Sequence, residues 1–165
     1  MPEKLFGIPS HPLMVHIPVV LLPLCALLAI LLVVRPVWVR HYGWPFLVLS
    51  FVSMVGTVVA AASGEGLKHI LNERNPAVDR HAEWGDRTRL AAIVFFVLAA
   101  AFVYLVKRFE GLKVSGTPGS TTVVNRSAAV LLVAALLVIS AVASTGAVMY
   151  TGHTGAKSAW EDAGK

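Results

Sequence analysis

Of the side chains here that can do chemistry near neutral pH, the histidines are the most telling: His11, His16, His69, His81 and His153, five of the six, fall at or just beyond the same end of four long apolar segments. Neutral imidazole is the commonest axial ligand of b-type haem and a frequent ligand of copper and zinc. Imidazoles gathered from separate helices at one rim of a bundle therefore point to cofactor ligation. His16 lies about one turn inside the apolar run that begins at Pro12, where an ionisable side chain is costly and turns toward a partner in the bundle interior. His11 precedes Pro12 at the membrane entry, a position suited to capping, interfacial contact or ligation. His81 shares a helical stripe with Trp84, Thr88, Ala92 and Phe95, and His153 follows Tyr150 in a Thr-Gly-His-Thr-Gly segment. His41, in a short basic loop, and His69, beside Lys68, read as solvated side chains.

The elements that must position these groups are membrane helices. A hydrophobic fraction of 56%, a charged fraction of 14% and a mean hydropathy of +0.73 lie well outside soluble norms. The expected fold is all-α: an integral membrane four-helix bundle, up-down-up-down, forming a single domain over residues 1–165, with spans at about 12–34, 45–63, 88–108 and 128–150. The first apolar run is too long for a signal-peptide core, its leading segment sets Lys4 against Glu3, and no small-x-small cleavage site follows, so it is read as a retained span. Pro18 and Pro23 within it remove backbone donors, freeing the carbonyls of Met14 and Val19 and predicting a bend. Gly56, Ala60 and Gly64 in the second span, and Ser140, Ala143, Ser144 and Ala147 in the fourth, form small-residue seams that let a helix or a flat cofactor approach closely. The single Cys25 has no disulfide partner in the chain and reads as a small core hydrophobe.

Asn75 followed by Pro76 predicts the start of a helix running into the third span. From Pro76 through Phe109 that helix would be on the order of 50 Å long, an extracytoplasmic extension of the span. Glu83 and Arg87, four apart, support its polar face. Loops one and three carry Arg35, Arg40, Lys107, Arg108, Lys113 and Arg126 against Glu110, while basic and acidic residues balance on the other side. The positive-inside rule then places those loops in the cytoplasm, both termini outside, and the chain in the bacterial cytoplasmic (inner) membrane as a multi-pass protein, although the opposite side also holds eight Lys and Arg residues. The basic loops would meet anionic lipid headgroups, which accounts for the high pI without nucleic acid, and no interleaved basic and aromatic pattern for RNA or DNA occurs.

On this frame His16, His81 and His153 are the expected axial ligands of a haem b, with His11 joining them as a possible metal ligand. Trp84 and Tyr150 would pack against the porphyrin, and Arg87 and Arg89 would neutralise propionates. Depth argues against the simplest pairing: His81 stands nine residues, roughly 13 Å, above Leu90, whereas His16 lies ~6 Å below Pro12. A shared iron therefore requires tilt, a kink or a different pair.

The opening His11-Pro12-Leu13-Met14-Val15-His16-Ile17-Pro18, the Gly64 region, His81, and Gly146 through Gly155 with Tyr150 and His153 resemble the bacterial membrane family called domain of unknown function 2231, over nearly the whole chain. The resemblance implies a four-helix membrane module whose members are sometimes joined to cytochrome-like partners, in keeping with haem binding or electron transfer. The chain differs at its end, where Thr-Gly-His-Thr-Gly replaces a more apolar segment. No His-Glu-x-x-His, phosphate-cradling glycine loop or Gly-x-Ser-x-Gly elbow is present, and no carboxylate lies in the middle of a span. The reading is thus a membrane haem protein passing electrons between a quinone or periplasmic redox protein and another partner. Its rivals are a copper or zinc site that adds Glu83 or Asp86, for metal handling or hydrolysis, and a non-catalytic accessory subunit of a membrane complex.

Overall fold

A computed structural model describes residues 4–5, 8–71, 76–111 and 127–160, with side chains over 11–66, 76–109 and 127–158. Asn75 as a helix cap, the His69 and Glu110 side chains, and the loop residues Lys113 and Arg126 lie outside what is described. The chain is all-α apart from a two-residue antiparallel pairing of β1 (Lys4–Leu5) with β2 (Ile8–Pro9) ahead of the first helix. The helices are α1 (Ser10–Met14), α2 (His16–Val34), α3 (Val39–Leu71), α4 (Pro76–Gly111) and α5 (Ala128–Trp160). Among the described residues, four segments are long and apolar enough to cross a membrane: His11–Val34, Pro36–Gly66, Pro76–Phe109 and Ala128–Ser158.

Each segment is apolar on its outer side as well as its inner one. Val20, Trp44, Leu90, Ile139 and Met149 are exposed, while Cys25, Phe95, Phe102 and Leu137 are buried. Such all-round apolarity suits helices whose surroundings are lipid. The helices pack in a ring, α2 on α3, α3 on α4, α4 on α5 and α5 on α2. Contacts at one end run from the start of α1 to the end of α3, and from the start of α4 to the end of α5, so successive helices alternate in direction.

Two proline effects shape the chain. Val15, between α1 and α2 and one turn before Pro18, keeps helical angles (φ −66°, ψ −21°); its N–H bonds the carbonyl of His11 and its carbonyl accepts from Val19, so the first span continues through it with only a local irregularity. Proline at 18 lacks the donor that would bond Met14, and its ring crowds that carbonyl. At the other end Pro36–Trp38 form a single 3-10 turn that reverses the chain into α3. α3 therefore starts earlier than the apolar run at Pro45, and His41 lies on its first turns instead of in a loop. α4 runs unbroken for 36 residues, about 54 Å at the standard rise. Its inward stripe includes Thr88, Ala92 and Phe95, all buried.

The small-residue seam of α3 is filled by the first segment. A β-carbon on Gly56 would collide with the Ile17 side chain, and one on Gly64 would fall 2.9 Å from the imidazole of His11. On α5 the inward face is Leu137, Ser140, Ala141, Ser144 and Val148, with Ala143 exposed. Ser144 reaches across to the carbonyl of Ala91 on α4 at 3.2 Å.

Candidate functional site at the histidine end

A cavity of about 490 Å³ opens at the end of the bundle where α1, α4 and the last turns of α3 and α5 meet. Its volume lies in the range of small-molecule and cofactor sites. The walls are mostly apolar, from Pro12, Val15, Pro18, Ala82 and Val148 among others, and the polar groups include His11, His81, Thr57, Thr88 and Thr151.

Two imidazoles face this space from opposite corners of the helix ring. The rings of His11 and His81 lie 5.9 Å apart, centroid to centroid, in an edge arrangement. Nδ1 of His11 is 3.1 Å from the carbonyl of Ala60 and 3.0 Å from the hydroxyl of Ser63 on α3. Nδ1 of His81 is 3.0 Å from the carbonyl of Thr151 and 3.4 Å from the hydroxyl of Thr154 on α5. A carbonyl only accepts, so each Nδ1 carries the proton and donates it. In the neutral ring, Nε2 is then the lone-pair nitrogen. Neither Nε2 has a hydrogen-bond partner among the described residues.

This arrangement is what a metal ligand needs. A ligating histidine usually gives its other N–H to a carbonyl or carboxylate, which sets the tautomer and aims the lone pair. A metal roughly 2 Å from each of two imidazole nitrogens puts the ring centroids on the order of 6 Å apart, and the observed separation is close to that. Close approach of each ring to its neighbouring helix depends on glycine. A β-carbon on Gly155 would stand 2.8 Å from Cε1 of His81, the counterpart of Gly64 and His11.

The structure brings His11 and His81 together and sets His16 and His153 apart from them. The His16 ring is exposed and bonds the carbonyl of Pro12 one turn back, at 2.7 Å. The His153 ring is exposed on the outer side of α5, 6.4 Å from the ring of Tyr150. Trp84, Tyr150 and Arg87 form an outward cluster, with Trp84 4.4 Å from Tyr150 and the Arg87 guanidinium 4.7 Å over Trp84. Arg87 also pairs with Glu83. Arg89 sits nearer the cavity mouth, 3.0 Å from Asp86 and 3.9 Å from Glu65, two carboxylates that line the opening. Among the described residues no group of three His, Cys, Asp or Glu side chains is placed to share a metal ion.

Ser63, Gly64, Thr154, Gly155 and the carbonyls of Ala60 and Thr151 escape a reading that ranks histidines one at a time. The available signal was a hydroxyl residue followed by glycine, Ser63-Gly64 and Thr154-Gly155, near the end of the second and of the fourth apolar segments.

A four-segment apolar bundle with this opening matches the family model described as Predicted membrane protein (DUF2231), over residues 7–165. The chain belongs to that family. No curated protein and no solved structure matches it. As a member of DUF2231 it is a membrane protein whose family description names no reaction, so function rests on the histidine site.

Proposed function

We propose that this DUF2231 protein binds a b-type haem between His11 and His81 and works in electron transfer, exchanging electrons with a quinone in the bilayer or with a redox protein outside it. The observation that carries this reading is the pair of imidazoles. Each gives its Nδ1–H to a carbonyl, each lines the same cavity, and their centroids are 5.9 Å apart. Bound there, a haem would supply one-electron redox chemistry.

The remaining work falls to the chain. His11 and His81 hold, through Nε2, from two different helices, and the backbone carbonyls of Ala60 and Thr151 keep both rings in the tautomer that leaves that nitrogen free. The apolar walls exclude water and favour a macrocycle with little net charge, while Glu65, Asp86 and Arg89 set the charge at the mouth. Placement at one end of the bundle gives access both from the adjacent aqueous phase and from the lipid around α2 and α4, as an exchange of electrons with a soluble or a lipophilic partner requires.

An absorption spectrum of the detergent-purified protein tests the proposal. A Soret band with sharp α and β bands on reduction is expected, lost in His81→Ala, weakened and shifted in His11→Ala, and retained unchanged in His16→Ala and His153→Ala. A colourless protein carrying stoichiometric copper or zinc would replace the proposal with metal handling. A protein that takes up neither metal nor hemin would replace it with an accessory role.

A further inference from the structure

The two imidazoles are held by the same construction twice. In the first half of the chain Nδ1–H of His11 meets the carbonyl of residue 60 and the hydroxyl of residue 63, and the ring lies on the glycine at 64. In the second half Nδ1–H of His81 meets the carbonyl of residue 151 and the hydroxyl of residue 154, and the ring lies on the glycine at 155. The hydroxyl stands three residues after the carbonyl and the glycine four residues after it in both. Each hydroxyl also donates to that carbonyl, Ser63 to Ala60 at 2.7 Å and Thr154 to Thr151 at 3.0 Å. Both hydroxyl residues are more than nine-tenths buried. The histidine comes from the opening turns of one helix and the clamp from the closing turns of the next, so the halves are related by an approximate two-fold axis along the bundle, with the cavity on it.

The hydroxyls do more than fill space. A serine or threonine has one proton, and here that proton is committed to the backbone carbonyl, so the oxygen is left to accept. An imidazole facing an oxygen that only accepts must present N–H to it. The glycine lets the ring come close enough for both acceptors to be reached, since a β-carbon there would lie within 3 Å of Cε1 in either half.

The geometry points to Ser63 and Thr154 as equivalent positioning residues, each adding a second acceptor beside the carbonyl that holds one histidine as the Nδ1–H tautomer, so that two matched Nε2 lone pairs are offered to one ligand on the two-fold axis. This deepens the haem proposal, because two matched imidazole lone pairs facing each other would suit a flat group that can be held from both faces. It also stands apart from that proposal, since the tautomers are a property of the protein with nothing bound.

Nitrogen-15 NMR of the histidine rings in the purified, ligand-free protein reads those tautomers, and a hemin titration reads the consequence. In the unaltered chain His11 and His81 are expected as Nδ1–H. Ser63→Ala leaves the Ala60 carbonyl as the one acceptor and should raise the minor-tautomer share at His11 while His81 is unchanged, and Thr154→Val, which keeps the side-chain shape, should do the converse. Each should weaken hemin binding about 10- to 100-fold, and the conservative pair Ser63→Thr and Thr154→Ser should restore both readouts. Unchanged tautomers in both hydroxyl-free variants would overturn the inference, as would a single variant that disturbs both rings equally. If the unaltered chain shows the two tautomers and the variants their separate disturbance but no hemin is taken up, the clamp stands and the haem proposal falls.

Discussion

The two halves carry the same imidazole clamp on different mounts. His11 lies one residue from the start of α1, at the very end of the first span and beside Pro12, with the local irregularity at Val15 one turn on. His81 belongs to a 36-residue helix with no break. The second clamp is also braced across its helices. The hydroxyls of Thr88 and Thr151 are 2.8 Å apart, both reach the carbonyl of Trp84, and Ser144 bonds the backbone of α4 two turns deeper. No comparable bond ties α1 to α3 among the described residues beyond those of His11 itself. Equal chemistry on unequal supports makes the His81 wall of the cavity the more firmly braced and the His11 wall the less so. On the haem proposal, one wall that can yield would ease entry of a large rigid ligand.

The largest expected effects come from removing the imidazoles, and they should differ in kind. His81→Ala is expected to abolish hemin uptake in a spectroscopic titration, because the braced ligand is gone. His11→Ala should leave a weaker, five-coordinate complex on His81 with a shifted Soret band. Identical behaviour of the two variants would remove the asymmetry drawn from their mounts.

Next come the glycines. Overfilling a packed contact costs about 1–3 kcal/mol. Gly155→Ala forces a β-carbon against His81 where α4 and α5 make the most extensive packing in the bundle, so its cost is expected at the upper end of that range. Gly64→Ala presses on His11, and α1 can shift on its short segment, so the lower end is expected. Denaturation in mixed micelles measures both. A larger loss for Gly64→Ala would place the rigid wall on the wrong side.

Much of this was legible in the chain. The four segments, the all-α bundle, the long helix from Pro76 and the crowding of histidines at one rim follow from apolar length and the positions of Pro and His. Which two imidazoles face the cavity did not follow, and the reason is geometric. His16 looked inward because it sits inside an apolar run, yet on the observed helix His11 faces Ala60 and Ser63 of α3 while His16, five residues on, lies on the exposed side and bonds back to Pro12. A proline predicts a bend but not which flanking side chain gains from it. The depth mismatch between His16 and His81 agrees with the two rings lying apart in the structure. The clamps were hidden because their acceptors are backbone carbonyls, which no residue letter reports, and because Ser-Gly and Thr-Gly read as ordinary seam residues until both are seen beneath a ring.

The smallest effect tests whether the halves are joined by anything besides apolar packing and the site. Arg89 on α4 reaches Glu65 on α3 and Asp86 on its own helix, so it links the first hairpin to the second at the cavity mouth. All three side chains are more than a third exposed, and such pairs contribute about 0.2–1 kcal/mol at most. Arg89→Gln is therefore expected to lower stability by no more than about 0.5 kcal/mol at low salt, a difference that should vanish near 1 M salt, where screening acts within about 3 Å. Hemin affinity should change less than twofold, since Arg89 touches neither imidazole. A loss as large as that of Gly155→Ala would mean that the mouth, and not the braced clamp on α5, holds the two halves in register.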